Sequence, residues 1–159
     1  MAAPQDLPGG YRSEGPAQVR TDSPAGPPPV GYESIDGSLV ARYTADPDGV
    51  MVIGAAWGTI TDPAAVATSA FAAMESSRGK WTVPPTDADA RDPYDRQGRL
   101  TCGVRTEALL VIPTCLWVDH STAGSVSFPP WAEGSLATLD PTAAADRTRR
   151  IRDAMTTPK

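Results

Sequence analysis

The chain has 159 residues, 40% of them hydrophobic, with 19 acidic against 14 basic side chains and a formal net charge of −5. That length holds one domain of ordinary size, and the acidic balance argues against a phosphate-neutralising surface, so nucleic acid is not an expected partner. No run reaches the roughly 18–20 apolar residues of a membrane-spanning helix, and the first residues lack the charged-then-apolar layout of an export signal. Membrane attachment is therefore expected only through a segment absent from this chain, and cytoplasmic residence is the alternative.

Residues 1–36 hold seven of the 17 prolines, interleaved with glycine and without apolar periodicity. Such a stretch buries too little surface to offset its ordering entropy and is expected to be a disordered proline- and glycine-rich linker, made semi-rigid by Pro27, Pro28 and Pro29. A single domain is expected over 37–157. Its first element is a half-buried strand with Leu39, Ala41 and Tyr43 on one face and Ser38, Arg42 and Thr44 on the other. The turn signal Asp46-Pro47-Asp48-Gly49 follows, then an almost continuous apolar run from Val50 to Trp57, as in a strand covered on both faces. Together they predict a hairpin.

Asp62-Pro63 predicts a helix start, since aspartate can accept from first-turn amides and proline fits the first helical position. Val66, Ala70, Phe71 and Met74 continue at helical spacing as far as about Ser77, and Gly79 suits the C-terminal position. The polar, turn-rich stretch Pro84 to Gln97 predicts a long exposed loop. Three strands are expected next, Leu100 to Arg105, Leu109 to Asp119 and Gly124 to Phe128, with the second interrupted or bulged at Pro113. Asp140-Pro141 repeats the helix-start device, with Ala144, Thr148, Ile151 and Met155 as an inward stripe. The expected fold is α+β, in the order ββαβββα: an antiparallel sheet of about five strands with two helices on one face.

Cys102 and Cys115 are the most informative pair. If their strands form a hairpin turning near Glu107-Ala108, opposite residue numbers sum to about 217, and these two cysteines meet that condition and face each other. A disulfide there points to an oxidising compartment, whereas two buried free thiols are the alternative. Two cysteines and the single His120 do not complete a tetrahedral metal set. The run Cys115-Leu116-Trp117-Val118-Asp119-His120-Ser121-Thr122 gathers a thiol, an acid, a base and hydroxyls. Strand alternation nevertheless points Asp119 and Ser121 away from His120, which argues against a relay among them. Asp119, Ser121 and Thr122 are expected to fix the turn after the strand.

Asp87, Asp89, Asp92 and Asp95 depart from a calcium-loop spacing and are expected in a solvated loop. The cluster Arg147, Arg149, Arg150 and Arg152 is expected on a solvated helix face. Trp57, Trp81, Trp117 and Trp131 are core or rim aromatics before any carbohydrate-stacking role. No cofactor is expected.

The segment Ala55-Ala56-Trp57-Gly58-Thr59-Ile60-Thr61-Asp62-Pro63, followed by Phe71 and Met74, together with Cys102 and the run Cys115 to Gly124, resembles the uncharacterised C-terminal domain of many actinobacterial single-pass membrane proteins. Those proteins carry a cytoplasmic proline-rich segment, one transmembrane helix and this domain outside. The resemblance spans about Ser38 to Met155 and implies an exported domain, a disulfide between the matching cysteines, and no enzymatic activity. The expected function is a non-catalytic cell-envelope binding or sensing domain, with a protein or a cell-wall component as partner. Candidate binding or motif residues are Trp57, Trp117, Asp119, His120, Ser121 and Thr122, with no catalytic residue among them. The alternatives are an assembly subunit that uses the N-terminal arm, and a hydrolase that uses His120 with Asp119 or a loop aspartate.

Overall fold

The computed structural model describes residues 1–22, 26–45, 49–93, 95–107, 110–129, 131–132 and 141–156. Its strands are β1 (Asp6–Leu7), β2 (Tyr11–Ser13), β3 (Gln18–Arg20), β4 (Tyr32–Ala45), β5 (Gly49–Ile60), β6 (Lys80–Ala88), β7 (Arg99–Glu107), β8 (Leu110–Val118), β9 (Thr122–Ser127) and β10 (Trp131–Ala132). Helix α1 (Pro63–Arg78) lies between β5 and β6, and α2 (Pro141–Met155) follows β10. All ten strands belong to one sheet, in the order β1-β2-β4-β5-β9-β8-β7-β6, with β3 paired to β4 and β10 to β8. Every pairing is antiparallel.

The α+β class with an antiparallel sheet and two helices therefore holds, but five strands become ten, and three of the additions come from the segment expected to be a linker. Residues 6–20 build β1, β2 and β3, and Leu7 and Tyr11 are 4% and 3% exposed within the main core cluster. The physical reason is that β4 offers an edge longer than any local pattern announces: Ser13 pairs with Tyr43, and Val19 with Leu39. The expected loop from Pro84 is also corrected, since β6 runs to Ala88 as a strand at the sheet edge. Its proline pair is accommodated because the register with β7 shifts between Val83 and Thr86.

The hairpin of β4 and β5 brings Leu39 opposite Ala55, Ala41 opposite Ile53 and Tyr43 opposite Met51, all six buried. Residues 46–48 of the expected turn lie outside the described residues. Burial raises the Tyr43 phenol above its ordinary range, so its hydroxyl stays protonated and donates to the Pro4 carbonyl at 2.9 Å. In α1, the Asp62 carboxylate accepts from the Ala65 amide at 2.9 Å and Pro63 takes the first helical position, while Gly79 ends the helix at φ +124°. The cap expected at Asp140 falls outside the described residues.

The helices pack on opposite faces of the sheet, not on one. Alternation along β8 shows this: Cys115 and Trp117 share a cluster with Ala145, Ile151 and Met155 of α2, whereas Leu116 and Val118 share one with Val66, Ala67 and Phe71 of α1. Neighbouring side chains of a strand point to opposite faces, so an uninterrupted apolar run needs cover on both. Phe71 and Trp81 meet edge to face, with ring centroids 5.2 Å apart, on the α1 side. No bulge forms at Pro113, because the register passes through the Val104–Pro113 pair without a shift. Its missing amide proton falls between the stretch of β8 paired to β9, which ends at Thr114, and the stretch paired to β10, which begins at Val111.

Candidate functional site: the β8–β9 turn and the loop before β7

Cys102 and Cys115 are register partners in β7 and β8 and are joined as a disulfide with a Cα–Cα distance of 4.1 Å. That separation belongs to the narrow, non-hydrogen-bonded type of antiparallel pair. The partners sum to 217, as the hairpin arithmetic requires, and both cysteines are buried at 2% and 0% exposure. The alternative of two free thiols does not hold.

Two tryptophans lie over glycines of the neighbouring strand. Trp57 is paired with Gly37 and Trp117 with Gly124, and a Cβ built on either glycine would overlap the indole ring. Glycine is therefore required at both places by close approach. Trp117 is 1% exposed, and its Nε1 finds no hydrogen-bond partner among the described residues. Trp57 is half-buried, Trp81 packs under α1, and Trp131 lies in β10.

The turn after β8 is built by one carboxylate. Asp119 Oδ1 accepts from the Ser121 amide at 2.6 Å, the Ser121 hydroxyl at 2.8 Å and the Thr122 amide at 2.7 Å, while Oδ2 accepts from the Thr122 hydroxyl. The Asp119 amide donates to the Thr122 carbonyl at 2.8 Å, closing the turn. The turn is tied to the end of β5 by Gly58 donating to the Ser121 carbonyl and Ile60 to the His120 carbonyl, each at 3.0 Å. The sequence motif thus assembles as a turn, with its hydroxyls and acid engaged by one another.

His120 points elsewhere. Asp95 Oδ2 accepts from the His120 amide at 2.9 Å and lies 2.5 Å from the ring Nδ1, while Oδ1 accepts from the Gln97 amide at 2.8 Å. Burial pushes the Asp95 carboxyl up, but the His120 ring, the two amides and the imidazolium charge outweigh it and hold it below its ordinary range. The imidazole is 45% exposed and the carboxylate 18%, so the pair sits at the rim of the turn.

Asp95 belongs to a loop that aspartates organise throughout. The Asp95 amide donates to Asp92 Oδ1 at 3.2 Å, and the Arg91 amide donates to Asp89 Oδ1 at 3.1 Å. The Arg91 amide first, then the Arg91 guanidinium and the charge of Arg149, hold the exposed Asp89 carboxyl below its usual range against the opposing effect of desolvation. Helix α2 grips the same loop: Arg152 donates to the carbonyls of Ala90 at 2.9 Å and Arg91 at 3.3 Å and pairs with Asp92 at 3.6 Å, and Arg149 donates to the Asp89 carbonyl at 2.7 Å. Arg152 is 3% exposed, so the arginine cluster is not a solvated face as expected. Of its four members, Arg147 and Arg150 are exposed while Arg149 and Arg152 dock the loop.

Sequence reasoning allowed a loop aspartate beside His120 but did not single out Asp95. The available signal was the spacing of Asp92, Asp95 and Gln97, which suits aspartates that cap amides two or three residues ahead. Among the described residues no group of three metal-ligating side chains converges, and no helix is long and apolar enough to cross a membrane. Comparison with protein-family models, curated proteins and solved structures finds no match to the chain.

Proposed function

We propose that this chain is a non-catalytic recognition or sensing domain that works outside the reducing cytoplasm, in the cell envelope, with a protein or cell-wall component as its partner. The observation that carries this reading is the buried disulfide between Cys102 and Cys115 in adjacent interior strands of the sheet. Disulfides persist in oxidising compartments and are rare where glutathione and thioredoxin keep thiols reduced. The resemblance of the segments around Trp57 and Cys115 to exported actinobacterial domains supports the same location.

The turn and the loop beside it support recognition over catalysis because their two acids are engaged in holding those segments in place. Asp119 accepts four donors from its own turn, and Asp95 accepts two amides as well as facing the imidazole. The exposed Asp95–His120 rim, held between α2 and the turn, is the surface assigned to the partner. Thiol-reactive labelling of protein taken from its native source, with and without reductant, tests the location. Protection of both cysteines before reduction is expected, and free thiols in the native protein would overturn it. A hydrolase reading gains ground only if the chain turns over ester or amide substrates and His120→Ala abolishes that turnover.

A further inference from the structure

Residues 95–98 are joined to the β8–β9 turn by one carboxylate. The amides of His120 and Gln97 donate to the two oxygens of Asp95, and the His120 ring Nδ1 stands 2.5 Å from Oδ2. The stretch from Asp89 to Arg91 is fastened differently: Ala90 is buried in the main core cluster, and the carbonyls of Asp89, Ala90 and Arg91 accept from Arg149 and Arg152 of α2. The turn in its own right is held by Asp119 and by the Gly58 and Ile60 amides, which donate to the Ser121 and His120 carbonyls. Each side therefore has its own fastening, and Asp95 is the side chain that joins them.

We propose that charge on His120 latches residues 95–98 onto the β8–β9 turn, so that this docking tightens in mild acid and loosens as the solution turns alkaline. His120 is the one histidine of the chain, and histidine is the side chain whose charge ordinarily changes between about pH 5 and 8. A protonated ring sets a positive charge against the Asp95 carboxylate, whereas a neutral ring offers it a hydrogen bond alone. The charged groups around the pair have partners of their own. In the turn, the Asp119 oxygens are taken by Ser121 and Thr122. Asp92 of the loop pairs with Arg152 of α2 at 3.6 Å, and Arg152 also pairs with Asp153 at 2.8 Å. Arg99, which opens β7 opposite Val118, pairs with Asp87 at 3.1 Å, and Asp62 after β5 caps α1. Arg96, exposed beside Asp95, keeps its charge throughout. Docking is fullest with the imidazolium present and is lost in part as pH rises and the ring becomes neutral. The latch belongs to the fold itself and stands whether or not the rim binds a partner.

The two amides that donate to Asp95, those of Gln97 and His120, report directly on whether its carboxylate is seated. The full chain labelled with nitrogen-15 is followed by solvent-exchange NMR at about pH 5 and about pH 7.5, on either side of an ordinary histidine's transition, with each rate corrected for the intrinsic pH dependence of exchange. Protection of both amides is expected to be about two- to fivefold greater at the lower pH, the size of effect a half-exposed ion pair supplies. The Gly58 and Ile60 amides, which hold the turn from the other side, are expected to stay constant. Molar sodium chloride at the lower pH should remove most of the gain, because the pair is exposed enough to be screened. In His120→Gln, protection of the Gln97 amide is expected to be the same at both pH values. Equal protection in the parent chain at the two pH values, a gain that survives in His120→Gln, or a gain indifferent to salt would each overturn the latch.

Discussion

Reducing the Cys102–Cys115 bond removes one covalent link and leaves every other atom in place, so it isolates the cross-link from packing. The two residues are 13 apart in sequence, and closing a loop of that size restricts the unfolded chain by about 3 kcal/mol in the chain-entropy treatment. For a chain of this length that corresponds to a melting point lower by roughly 6–12 °C. In urea, with a slope of about 2–3 kcal/mol/M, the midpoint should fall by about 1–1.5 M. Because both sulfurs are buried, the assay equilibrates the chain with a phosphine reductant through the unfolded state before the titration is read by tryptophan fluorescence. A midpoint displaced by less than about 0.3 M at unchanged slope would refute the reasoning. It would mean that the unfolded hairpin already holds the two strands together, so that the bond restricts little.

Asp119→Ala strips four acceptor contacts from the β8–β9 turn and should cost about 2–3 kcal/mol in urea unfolding; hydrogen exchange at the amides of Ser121 and Thr122 should accelerate with it, and unchanged exchange would count against the turn's dependence on this carboxylate. The Asp95 carboxyl, held below its ordinary 3.8 in the folded chain, contributes stability that is present above that ordinary value and lost as pH falls through the lower folded one. The acid limb of a stability–pH profile below about pH 4 should therefore be shallower in Asp95→Asn than in the parent, and superimposable limbs would refute the assignment. Gly124→Ala places a Cβ inside the Trp117 ring and should cost about 1–3 kcal/mol by overpacking. Trp117→Leu should absorb part of that cost, so the double variant is expected to be non-additive in thermal melts.

What the sequence made legible was whatever a local rule dictates. The disulfide register followed from hairpin arithmetic, α1 from a cap and a proline, and β4 from alternation, since each of these is decided within a dozen residues. Strands β1, β2 and β3 were hidden because two or three residues display no period; β2 and β3 exist through pairing to β4, whose partner residues lie about 18 to 32 positions away, and β1 through pairing to β2. The proline pair at 84–85 reads as loop chemistry, and only an edge position with a register shift lets β6 absorb it. One overlooked signal was present: Cys115 to Val118 is apolar at every position, which already demands cover on both faces and so places the helices on opposite sides. Arg152 was misread for the converse reason. It falls on the same helical face as Thr148, Ile151 and Met155, and its charge was weighed ahead of that position.

The staple and the polar rim fasten different parts of the domain. From Cys115 to Val118 the chain rises about 10 Å along β8, and the contacts from Arg152 through Asp92 and Asp95 to His120 run through the loop before β7 and the turn after β8. Reduction acts on the unfolded ensemble, whereas loss of the Asp95 carboxylate acts on the folded loop. The two costs should therefore add to within about 0.5 kcal/mol when Asp95→Asn is combined with reduction at neutral pH. A coupling above about 1 kcal/mol would show that the loop and turn are held through the strand pairing itself. Recognition at the rim would then depend on the redox state of a bond buried well away from it.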